Sequence, residues 1–147
     1  MPDIYNLLSP LTPKMNGKKI SRVLLAAIFF MGGIGHFSHD VDFARIVPPV
    51  FPYPLQIVWI TGAIEFLFAA ALLQSKYLPM VGKLLSLYLL VVLTANIYQA
   101  AAHIPVFEEY MAMPTWAAWL RVVLQFPLIA WILWATDAQV RGESGRS

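Results

Sequence analysis

Glu65 is an isolated carboxylate near the middle of the apolar run 54–73, and Arg121 is an isolated guanidinium inside the apolar run 115–134. Charges inside segments of that length are expensive, so each marks either a functional site or a structural ion pair. Further hydrogen-bonding groups surround them in sequence at helical intervals. Asn96, Gln99 and His103 fall at i, i+3 and i+7, and Arg121 and Gln125 at i and i+4. Thr61 and Gly62 lie one turn before Glu65, and Gly32 one turn before His36. Polar groups sharing a helix face in this way are expected to point inward, because lipid offers them no partner. His36, Glu65, Asn96, Gln99, His103, Arg121 and Gln125 therefore form a candidate polar core able to hydrogen-bond a ligand head group and tune its protonation. The plain alternative is a buried Glu65–Arg121 staple with amide glue between helices.

Other chemistries find less support. Cysteine is absent, which removes thiol redox chemistry and cysteine-ligated metal centres. The histidines and Glu65 lack H-x-x-H or E-x-x-H spacing, so no metal site is expected. No serine or threonine occupies a nucleophile elbow, and Gly32-Gly33-Ile34-Gly35 lies within an apolar run instead of opening a phosphate loop. No autonomous catalytic or redox centre is visible, and whether the protein is an enzyme stays open at this level.

The elements that must position these groups follow from composition. With 59% hydrophobic and 12% charged residues in 147, and a mean hydropathy of +0.67, a chain of this size has too little polar surface for water. Four stretches, 20–37, 54–73, 78–102 and 115–134, approach the roughly 20 apolar residues of a spanning helix. The expectation is an all-α integral membrane four-helix bundle forming a single domain over residues 1–147. The connection at 74–77 is short and makes the second and third helices antiparallel neighbours. The connection 38–53 carries Pro48, Pro49 and Pro52 among Phe43, Ile46, Val47, Val50 and Phe51. It reads as neither helix nor free linker but as an apolar lid folded onto the bundle. Residues 1–13 are expected on the inner surface and 142–147 as a tail.

Lys14, Lys18 and Lys19 precede the first run and Arg22 stands at its start, Lys76 and Lys83 flank the second connection, and Arg141 and Arg146 follow the last run. The opposite side carries only Arg45, so both termini are expected to be cytoplasmic, in a bacterial inner membrane. Tyr53, Tyr110, Trp116 and Trp119 would anchor the outer boundary and Tyr77, Trp131 and Trp134 the inner one. The basic residues sit at segment ends, which suits topology and not nucleic acid. At 1.5 Å per residue Glu65 lies about 16 Å from Pro54, and Arg121 about 8 Å from Trp116. His36 and His103 lie near the outer ends of their helices. The polar set thus forms a funnel in one half, which favours a one-sided pocket over a through-channel. Pro127 frees the Val123 carbonyl and is expected to kink the last helix.

In order along the chain, Gly35-His36-Phe37, Ile46-Val47-Pro48-Pro49, Pro52-Tyr53-Pro54, Gly62-Ala63-Ile64-Glu65, Ala95-Asn96-Ile97-Tyr98 and Pro114-x-Trp116-x-x-Trp119-x-Arg121-x-x-x-Gln125 resemble the DoxX family of small four-helix membrane proteins. The resemblance covers roughly residues 20–134. Relatives often carry proline at the position of Asp40 and between the arginine and glutamine of the last helix, where this chain has Pro127 later. Some members of that family are named as the small membrane subunit of a thiosulfate:quinone oxidoreductase. The resemblance implies a membrane-embedded binding or accessory subunit, with a quinone as candidate ligand and a redox protein, the lipid bilayer or further copies of the chain as partners. Two other classes remain open: a membrane chaperone or assembly factor with a purely structural polar core, and a small oligomeric transporter titrating Glu65.

Overall fold

A computed structural model describes residues 16–74, 76–105 and 114–137. Lys14, Tyr110, Arg141, Arg146, the 1–13 segment, most of the 103–114 connection and the 142–147 tail lie outside the described residues. Within them, five helices follow one another: α1 (Gly17–Ser38), α2 (Asp40–Arg45), α3 (Pro54–Leu73), α4 (Leu78–Ala101) and α5 (Thr115–Thr136). Four of these, α1, α3, α4 and α5, are long and apolar enough to cross a membrane. The fold is all-α, and the protein is an integral membrane protein with a four-helix bundle.

Local chemistry sets most of the boundaries. Asn16 caps α1 through a 3.2 Å hydrogen bond from the Lys18 amide. Pro54 opens α3 at a position where its missing N–H is not needed, and the preceding Tyr53 takes a left-handed conformation (φ 60°) that turns the chain into the helix. At the far end of α4, the Ile104 amide reaches back to the Gln99 carbonyl at 3.1 Å while His103 sits at φ 53°. That is the left-handed helix stop in which glycine is the usual residue. α5 continues through Pro127 to Thr136 as one helix. Val123, four residues earlier, lies 60% exposed, so the carbonyl that the proline frees belongs to a residue on the lipid side.

One sequence expectation needs correction. The start of the 38–53 connection is helical: α2 spans Asp40–Arg45. The prolines act only downstream of it, and its own residues favour a helix. Asp40 and Asp42 stand in the first turn, Arg45 in the last, and Arg45 and Asp42 approach to 3.7 Å.

The long helices form a ring in the order α1, α3, α4, α5, with contacts between successive members and between α5 and α1. α3 and α5 are therefore diagonal. The α1–α3 and α4–α5 pairs are the closest, and glycine is the reason. A Cβ on Gly33 would stand 2.7 Å from the Phe66 ring, and one on Gly82 would overlap the Thr136 hydroxyl. Away from the lid the space between the pairs is filled by Leu25, Phe29, Leu72, Leu85, Leu89 and Ile132. Trp131, expected as a boundary anchor, packs partly buried against this core. The outward surface is hydrocarbon, with Met31, Leu67, Leu73, Val123 and Phe126 all more than half exposed. In lipid that surface needs no cover.

Candidate functional site

At the lid end of the bundle the space between the two close pairs is not filled. A cavity of about 350 Å³ lies beneath the lid. Its roof is Phe43, Ile46, Val47, Pro48 and Phe51, and its walls are Ile57 and Val58 of α3 and Val91, Val92 and Ala95 of α4. His36, Thr61, Thr94, Asn96 and Arg121 bring the polar atoms to this wall. Two contacts among the described residues help to hold the lid. The Trp59 indole of α3 donates to Asp40 Oδ2 at 3.0 Å, and Phe43 stacks on the His36 ring with centroids 4.6 Å apart. Asp40 thus ties α2 to α3.

The polar groups fall into two networks on opposite helix pairs. On α1 and α3, His36 Nε2 lies 3.5 Å from Glu65 Oε1, and the Tyr88 hydroxyl of α4 donates to the same oxygen at 2.9 Å. His36 Nδ1 lies 3.2 Å from Thr61 Oγ1, whose own proton goes to the Val58 carbonyl at 2.8 Å. Glu65 Oε2 is buried against Gly32 with no hydrogen-bond partner among the described residues. On α4 and α5, Arg121 donates to Asn96 Oδ1 at 2.6 Å and to Gln99 Oε1 at 3.4 Å. Asn96 in turn donates to Gln125 Oε1 at 2.8 Å, and Gln125 donates to the Leu89 carbonyl.

The expected Glu65–Arg121 staple is not formed: among the described residues the ion-pairing partner of Glu65 is His36, and the partners of Arg121 are neutral amides. The diagonal placement of α3 and α5 explains it, since two residues across a four-helix ring meet only if neither adjacent helix intervenes. The same-face groupings do appear in space. Arg121 and Gln125 both reach Asn96, and Thr61 and Glu65 both reach His36. Of the seven candidate residues, His36, Asn96 and Arg121 line the cavity, while Glu65, Gln99 and Gln125 stand behind them as their hydrogen-bond partners. His103 is separate. It terminates α4 and lines a smaller cavity of about 230 Å³ with Gln99, Pro105, Pro114 and Thr115. Tyr88 is a functional neighbour that spacing alone did not single out; a tyrosine well inside an apolar run was the available signal. No group of three His, Cys, Asp or Glu side chains among the described residues is placed to hold a metal.

Fold and site together define a polytopic membrane protein with a lid-covered, largely apolar pocket edged by a histidine–glutamate pair and an amide-held arginine. Residues 25–136 match the family described as domain of unknown function DUF8561, and the chain belongs to that family. No curated protein and no solved structure matches it.

Proposed function

We propose that this protein is a membrane-embedded binding or accessory subunit whose pocket holds the head of a small lipophilic molecule, with the lid end facing the non-cytoplasmic side of a bacterial inner membrane. The observation that carries the reading is the cavity of about 350 Å³, within the size range of small-molecule sites, with hydrocarbon walls and a few convergent polar groups. A helix bundle needing only an internal staple would close over its polar atoms. Here His36, Asn96 and Arg121 line open space, and Arg121 keeps N–H donors beyond the two that the Asn96 and Gln99 amides take. The resemblance to the DoxX family supports a redox partner and places quinones among the candidate ligands. The chain would supply binding and hydrogen bonding, and the partner the electrons. The excess of lysine and arginine at the end of the bundle opposite the lid supports the orientation.

Native mass spectrometry of the protein extracted together with its lipids tests this. The wild type should retain one small lipophile at stoichiometric occupancy, and Ala95→Trp, which fills the cavity from α4, should lose it. A wild type carrying only bulk lipid, or an Ala95→Trp protein with unchanged occupancy, would defeat the reading.

A further inference from the structure

The ligand's head group can be read from the polar atoms left over around the cavity. His36 is engaged at both ring nitrogens, Nδ1 3.2 Å from Thr61 Oγ1 and Nε2 3.5 Å from Glu65 Oε1, and Tyr88 donates to the same carboxylate oxygen. Glu65 thus has its contacts on the α1–α3 side and with Tyr88, away from α5.

Arg121 feels Glu65 only through space and forms no ion pair with it, so its guanidinium has no counter-ion in contact among the described residues. Its hydrogen-bond acceptors are the neutral amides of Asn96 and Gln99, and no carboxylate of the described residues lies within 4.0 Å of it. A guanidinium on the wall of a hydrocarbon cavity, inside a spanning helix, is a costly feature unless an anion completes it. Two of its five N–H donors are used by the amides, which fix the group's position and leave donors for a ligand.

On the reading that the cavity is a ligand pocket, we infer that its ligand is an amphiphile with a single negative charge, a carboxylate head held by Arg121 beside His36, with its apolar body under the lid. A carboxylate is the planar monoanion that a guanidinium fork matches best. A neutral quinone or alcohol head would hydrogen-bond but leave the charge standing.

The test compares three probes of similar tail, dodecanoic acid, dodecanol and a decyl-substituted benzoquinone, titrated calorimetrically into the protein in nanodiscs of zwitterionic lipid at a pH where the acid is ionised. Wild type should prefer the acid over the alcohol and the quinone on the order of tenfold. Arg121→Gln should bind acid and alcohol alike, its alcohol binding serving as proof of an intact pocket. Should that variant not fold, Asn96→Asp provides the second arm. It keeps the acceptor oxygen next to Arg121 but makes it a built-in counter-ion, so the acid preference should again vanish. Ala95→Trp should bind none of the probes. Equal affinity for acid and alcohol in the wild type, tighter binding of the quinone, or an acid preference that survives both Arg121→Gln and Asn96→Asp would overturn the inference and leave the pocket standing. Failure of the wild type to bind any probe would overturn the pocket itself.

Discussion

Gly62 of α3 lies directly against His36 of α1: a Cβ built on the glycine would stand 2.8 Å from the histidine's own Cβ and 2.9 Å from the Phe37 ring. This contact joins architecture to site. The absence of a side chain at position 62 lets α1 approach until His36 reaches Glu65 one turn deeper in α3. Because the opposing atom is a Cβ, which moves only with its backbone, Gly62→Ala must push the helices apart. Thermal unfolding in detergent should show a loss of about 1–3 kcal/mol, although alanine is intrinsically the better helix residue by about 1 kcal/mol. Unchanged stability would mean that the α1–α3 contact is looser than described.

Glu65 should be coupled energetically to Tyr88 more strongly than to Arg121. A double-mutant cycle of Glu65→Ala with Tyr88→Phe should give an interaction energy of about 0.5–3 kcal/mol, as expected for side chains in direct contact. The cycle of Glu65→Ala with Arg121→Gln should give a smaller interaction energy, since the two share no hydrogen-bond partner and act on each other only through space. Stronger coupling of Glu65 to Arg121 than to Tyr88 would restore the diagonal ion pair.

Trp59 holds the lid through Asp40, so Trp59→Phe should loosen α2 without melting the bundle. Loss of one hydrogen bond costs about 0.5–1.5 kcal/mol, equivalent to roughly two- to tenfold more frequent local opening. Ile46 is 4% exposed under the lid, and a cysteine there should be alkylated faster by that factor in the Trp59→Phe background. A rate identical to that of the parent would show that the indole does not restrain the lid.

The protein has no cysteine of its own among the 147 residues, so single-cysteine labelling reports topology cleanly. Val50→Cys, on the 80% exposed tip of the lid connection, should react with a membrane-impermeant maleimide added to intact cells, and Lys76→Cys only after permeabilisation. The reverse pattern would invert the bundle.

Much of the architecture was legible before any coordinates. Bilayer thickness converts directly into helix length, so four apolar runs became four helices, with α3 matching its expected bounds of 54–73 and the others shifting by a few residues. The helical period likewise carried over. Residues three or four apart must share a face, and the groups built from Asn96 and Gln99, Arg121 and Gln125, and Thr61 and Glu65 do converge on common partners.

Partner choice between helices was not legible, because it depends on the order of helices around the ring and on how closely each pair approaches. Opposite charges suggested Glu65 with Arg121, yet α3 and α5 are diagonal, and the glycines of the α1–α3 seam deliver His36 to the carboxylate first. His103, grouped by period with Asn96, is used up by the backbone as the left-handed stop of α4. The sequence by itself determined which faces turn inward, since that follows from local geometry and the intolerance of lipid for polar atoms. Only the tertiary structure decided which polar groups pair with one another and which of them line the cavity, because that is a property of distances between helices that no single helix encodes.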